Sequence, residues 1–125
     1  MKLIGHELVP YEPLFWRESA EQIEAGKQNL FKFDEAAIKR AQELSAQFCI
    51  EAENLNEIIV ANAVGAKFIV VPLEFASKAA KLAQDYLFDA QICVVIGGEG
   101  ELAELAKTGA DAAIFKNAVI GKDKR

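Results

Sequence analysis

Three glycines in the four positions Gly97-Gly98-Glu99-Gly100 stand between the apolar run Ile92-Cys93-Val94-Val95-Ile96 and an Ala- and Leu-rich stretch. Residues without a Cβ let backbone N–H groups come close to an anion, and a strand-to-helix turn gathers such groups at one spot. A phosphate or a carboxylate is the ligand that suits it. The spacing is neither the Gly-x-Gly-x-x-Gly of dinucleotide loops nor a P-loop with its Lys-Ser/Thr, so a plain tight turn is the alternative reading. Lys116 and Asn117 follow the next apolar run, Asp111-Ala112-Ala113-Ile114-Phe115, and would bring an ammonium and an amide to the same edge. Gly97, Gly98, Gly100 and Asn117 are therefore the expected ligand-binding residues. For catalysis the candidates are Lys116, as a Schiff-base amine, and Glu51, as a carboxylate base. Lys67 begins its apolar run and so points to the opposite end.

Other chemistry-bearing residues are fewer. Glu51, Glu53 and Glu74 could pair as carboxylates for acid-base work or magnesium binding, but acidic residues are favoured at strand ends and first helical turns in any case. His6 has no second His or Cys near it in sequence, which favours a surface or satisfied imidazole over a ligand or base. Cys49 and Cys93 fall inside apolar runs, outside any Cys-x-x-Cys, and read as buried free thiols. The sequence calls for no metal and no cofactor.

These residues need elements to position them. Short β-branched or aromatic bursts at Gln47–Glu51, Lys67–Val71, Ile92–Ile96 and Asp111–Phe115 alternate with helical spacing, the pattern of β-α units around a parallel sheet. Leu30-Phe31-Lys32-Phe33 adds a strand, with Asp34 to cap the helix after it, and Asn54 with Glu57 caps the next. The expectation is a three-layer α/β domain with about five parallel strands, flavodoxin-like or half-barrel in topology. Residues 1–28, with Pro10, Pro13, Phe15 and Trp16, read as an N-terminal arm that opens with a short strand near Leu3. Residues 29–121 carry the repeating units, and 122–125 form a tail expected to fray. In parallel sheets of this kind the ligand site lies outside the carboxyl ends of the strands, where the glycine turn, Glu51, Glu53, Glu74, Lys116 and Asn117 all fall.

Ile92 to Ile120, ICVVIGGEGELAELAKTGADAAIFKNAVI, resembles the seventh and eighth β-α units of phosphate-binding TIM barrels such as keto-sugar-acid aldolases and thiamine phosphate synthases. Phe48 to Pro72 is similar to earlier units of the aldolase barrel. The resemblance implies that Gly97 and Gly98 bind a substrate phosphate. Lys116-Asn117 departs from it, standing where the family has Gly-Ser. A chain of 125 residues is also too short for eight full units, which take about 250 residues. A receiver domain of two-component signalling, which would also place a Lys after its fifth strand, is excluded because Val71-Pro72 stands where its phosphorylated Asp would be.

Composition bounds the partners. Apolar residues make up 52% and charged residues 26%, with a net charge of -5, so one globular domain is expected and a phosphate backbone would be repelled. Nucleic acid is not expected, nor is a membrane, since no apolar run nears the length of a span. Charge appears within a few residues of Met1, unlike a signal peptide, and the expected location is cytoplasmic. The expected partners are a small anionic ligand and further copies of the chain, joined through the aromatic arm. The functional expectation is a non-catalytic binding module, with a phosphosugar or keto-acid lyase-like enzyme and an oligomeric interaction protein as alternatives.

Overall fold

Apolar bursts bounded by turn residues become strands when neighbouring bursts can pair. In the computed structural model, which describes residues 1–122, eight do. They are β1 (Lys2–Ile4), β2 (Leu14–Trp16), β3 (Asn29–Lys32), β4 (Phe48–Glu51), β5 (Phe68–Val70), β6 (Gln91–Ile96), β7 (Ala112–Phe115) and β8 (Val119–Ile120). Helices α1 (Glu35–Glu43), α2 (Leu55–Ala63), α3 (Ala76–Asp85) and α4 (Leu102–Ala106) follow β3, β4, β5 and β6 in turn. Asp34 and Asn54 start α1 and α2 by accepting from Ala37 N and Glu57 N, each at 2.9 Å. The Glu57 carboxylate accepts in turn from the backbone N–H of Glu53, the residue before the N-cap, at 2.8 Å, a variant of the reciprocal capping box.

All pairings are parallel, in the order β1-β7-β6-β5-β4-β3-β2-β8. That order cannot lie flat. β7 and β8 stand six pairings apart, which in an open sheet is roughly 29 Å. Only Lys116–Ala118 separate them in sequence, enough chain for about 14 Å. The sheet therefore curls until its edges meet at this turn. Gly5, just past β1, packs there so closely that a Cβ on it would lie 2.9 Å from the Phe115 Cβ and 3.0 Å from that of Ala118. Its carbonyl accepts from Asn117 Nδ2 at 3.0 Å. Among the described residues β1 and β8 do not pair with each other, so the curl stops short of closure.

Register keeps one set of alternate residues facing inward across the whole sheet. Ile4 pairs with Ile114, Ala112 with Cys93, Cys93 with Val70, Cys49 with Leu30, and Leu30 with Trp16. With Leu14, Phe68 and Val119 they form the interior cluster, where the small Ala112, Cys49 and Cys93 leave room for Trp16 and Phe68. The outer residues, among them Phe31, Ile50, Ile69, Ile92 and Val94, pack against Ala37, Ala41, Ala61, Ala76, Ala79 and Leu105 of the helices. No residue of α1 to α4 joins the interior cluster. The helices cover the outer face alone because the curl buries the inner face against itself, which selects the half-barrel over the flavodoxin-like topology.

The sheet has eight strands where about five were expected. β1, β2 and β8 are two or three residues long, too short for a period of two to register. The N-terminal arm supplies β1 and β2, and its Leu14 and Trp16 are buried within this chain. Among the described residues no helix is long and apolar enough to cross a membrane.

Candidate functional site

With all strands running one way, their C-terminal ends form one rim, and a cavity of about 820 Å³ opens there. Its lining includes inward-facing residues of the sheet, Leu30, Val70, Val95 and Val119, and the polar residues Glu51, Glu53, Glu101, Lys116, Asn117 and Lys122. Gly97 and Pro72 also line it, whereas Gly98, Gly100, Asp34 and Glu74 do not. Of the residues expected at this edge, Gly97, Asn117, Lys116, Glu51 and Glu53 are thus brought together.

Strand alternation explains Glu51. Cys49 faces in and Ile50 faces the helices, so Glu51 faces in at the end of β4. Its side chain is only 23% exposed, and a carboxylate held above an apolar interior needs a counter-charge. Lys122 pairs with it, its ammonium 4.3 Å from the centroid of the Trp16 ring. The tail expected to fray from residue 122 therefore begins with an anchored side chain; residues 123–125 lie outside the described residues. Lys116 forms no ion pair among the described residues. Asn117 commits its amide N–H to Gly5.

The glycine turn is already engaged. Gly97 N donates to Glu101 Oε2 at 2.7 Å, so the chain's own carboxylate sits where an anion was expected. None of Gly97, Gly98 and Gly100 adopts the left-handed conformation, and a Cβ on Gly98 or Gly100 would meet nothing within 4 Å. A Cβ on Gly97 would lie 3.0 Å from Glu101 Oε2. Glycine's conformational freedom is therefore not what this turn uses.

His6 follows β1 on the same rim, outside the cavity lining. Its Nε2 bonds the Glu99 carboxylate, and its Nδ1 accepts from Leu8 N at 3.1 Å. The second contact requires a bare Nδ1 and so puts a proton on Nε2. The ring packs edge-on against Phe115. This is a satisfied imidazole, whose partner 93 residues away no local signal could have identified. Sequence reasoning also missed Glu101 and Lys122: the first reads as an ordinary helix-start acid, the second as part of a charged tail.

Both cysteines face the interior, where burial pushes the Cys49 thiol up to about 12 and Cys93 well above its ordinary value. Neither should react with a disulfide reagent in the native state at pH 8, at least about a hundredfold below free cysteine, while both titrate in denaturant. Burial that raises a thiol's pKa favours the protonated form, so this contribution is intact below the ordinary value of 9.0 and is lost as pH climbs toward 12. Unfolding free energy should accordingly fall by about 1 kcal/mol per pH unit for Cys49 in that window, with Cys93 acting in the same direction. Denaturant melts between pH 8 and 11 read the slope, and a flat profile contradicts it. Among the described residues no three His, Cys, Asp or Glu group closely enough to hold a metal ion.

Compared with known proteins, the chain matches no protein-family model and no curated protein.

Proposed function

We propose that the rim cavity binds a small organic anion, a phosphate ester or a carboxylate, and that the chain is a non-catalytic binding module. The observation that carries this reading is the engaged N–H of Gly97. A carboxylate already rests on it at 2.7 Å, in a cavity that also holds Lys116, which has no ion-pair partner among the described residues, above an apolar floor. A ligand's anionic group has the same charge and acceptor geometry as Glu101 and would replace it, with Lys116 as counter-charge and the ligand's apolar body on Val70 and Val95.

Electrostatics decides the direction of the test. The lining carries Glu51, Glu53 and Glu101 against Lys116 and Lys122, so an arriving anion competes with Glu101 and is repelled by it. Glu101→Gln should tighten binding about tenfold and Lys116→Ala should weaken it by a similar factor, each worth about 1.4 kcal/mol. A thermal-shift panel of sugar phosphates, nucleotides and keto-acids measures this, and no stabilisation of either the native chain or Glu101→Gln overturns the reading.

Two other readings have specific support. Lys116 and Glu51 line one cavity, as a keto-acid lyase-like enzyme would require; borohydride trapping with keto-acids should then label Lys116, and an unlabelled chain removes it. Exposed Leu55, Ile59 and Val60 on α2, with Leu8, Val9 and Tyr11 on the arm, support a homo-oligomer, which sedimentation as a strict monomer at tens of micromolar would reject.

A further inference from the structure

Parallel strands create a second collecting edge, at their N-terminal ends, where Lys2 opens β1, Gln28 precedes β3, Lys67 precedes β5 and Phe68 opens it. A cavity of about 500 Å³ lies there, bounded by Lys2, Ile4, Tyr11, Gln28, Lys67 and Phe68. The two ammonium groups share one aromatic ring, Lys2 Nζ at 5.5 Å and Lys67 Nζ at 5.1 Å from the Phe68 centroid. Neither lysine has a carboxylate partner among the described residues.

Gln28 is only 4% exposed. Its Nε2 donates to the carbonyls of Glu12 and Pro13 at 3.2 and 3.3 Å, which fixes the amide's orientation, because a flipped amide would set oxygen against two carbonyl oxygens. Its Oε1 is left buried without a donor, a state that costs about as much as a lost hydrogen bond. An adjoining recess is lined by the same Lys2 and Lys67 with Asp89 and Gln91, and Gln91 Oε1 is the other buried side-chain atom without a partner among the described residues. Both orphan acceptors of the described chain thus flank the same pair of unpaired cations.

We propose that this N-terminal mouth is a second binding site, taking a small carboxylate that carries its own hydrogen-bond donor, an α-hydroxy or α-amino acid. The carboxylate bridges Lys2 and Lys67, and the hydroxyl or ammonium group donates to Gln28 Oε1 as the arm yields slightly. Glu12, which also lines the cavity, favours a donor at that end and disfavours a second anion. A carboxylate without a donor satisfies the lysines but leaves Gln28 orphaned, so it binds more weakly.

Titration of the isotope-labelled chain with L-lactate, L-serine and acetate, followed by amide NMR, tests this. Lactate or serine should shift the side-chain amides of Gln28 and Gln91 and the backbone of Lys67 and Phe68, whether or not Gly97 at the rim also shifts. Acetate should bind at least about fivefold more weakly, and the double variant Lys2→Gln/Lys67→Gln should lose about tenfold or more while keeping the native spectrum. No shifts at millimolar probe, shifts confined to the rim, acetate equal to lactate, or affinity unchanged in the double variant would each overturn the site. Glu101→Gln and Lys116→Ala should leave these shifts as they are, so failure here is distinct from failure of the rim reading.

Discussion

Gly5→Ala should be among the most damaging single changes in this chain, lowering unfolding free energy by about 3 kcal/mol or more. Two effects add. Gly5 sits at φ +107, a conformation that costs an L-residue roughly 1–3 kcal/mol. The new Cβ would also meet the Cβ atoms of Phe115 and Ala118 at 2.9 and 3.0 Å, and atoms fixed so near the backbone cannot swing aside, which adds about 1–3 kcal/mol of overpacking. Gly26→Ala separates the terms, since Gly26 also has positive φ, +85, but a Cβ there meets nothing within 4 Å. It should cost only the backbone part, about 1 kcal/mol. Urea melts of the two variants measure the difference, and equal midpoints would mean that the meeting of the sheet edges at Gly5 is not tightly packed. Because Gly5 also receives the Asn117 amide, Gly5→Ala should in addition weaken any ligand held by the rim cavity.

Asn29→Asp, a change of a single group, should cost about 3 kcal/mol or more. Asn29 is completely buried at the start of β3. Its Nδ2 donates to the carbonyls of Glu24, Lys27 and Gln47 at 3.0, 3.0 and 2.9 Å, and its Oδ1 accepts from Arg17 Nε at 2.8 Å and Glu24 N at 3.2 Å. One side chain thus ties the loop before β3 to the start of β4 and to Arg17 after β2. In the aspartate a carboxylate oxygen, in a fully buried side chain, would face these three carbonyl oxygens. Gln47 O keeps the Asn29 backbone N–H at 3.2 Å and Glu24 O keeps that of Lys27 at 3.4 Å, so the cost comes mainly from a buried negative charge set among acceptors, with Arg17 offsetting part of it. Asn29→Ala should cost somewhat less, because it removes the bonds without adding repulsion. Chemical denaturation at neutral pH ranks the two, and an aspartate variant as stable as the native chain would show that the donated hydrogen bonds contribute nothing.

Both residues show where local sequence stops being informative. Asn29 reads locally as a polar residue opening a strand, and Gly5 as one more turn glycine; their weight comes from atoms 18 and 112 residues distant. The same holds at the rim. Gly97, Lys116, Asn117 and Glu51 could be assigned to one edge in advance, because every parallel strand delivers its C-terminal residue to the same side. Lys122 could not, because its role depends on Trp16 and Glu51 arriving beside it.

The local pieces are set by the amino-acid sequence alone: the Asp34 and Asn54 caps, the left-handed Gly65 and Gly109 that end helical segments at φ +100 and +84, and the alternation of strand-like bursts with helical stretches that makes adjacent strands parallel. These depend on a residue and its near neighbours, so they are written in the chain. Only the assembled sheet settles that it curls, that the arm contributes two of its strands, and that Lys122 reaches Glu51. Those outcomes follow from a connection of three residues between strands six pairings apart. Such a constraint acts on the whole sheet at once and leaves no trace in the pattern of any one segment.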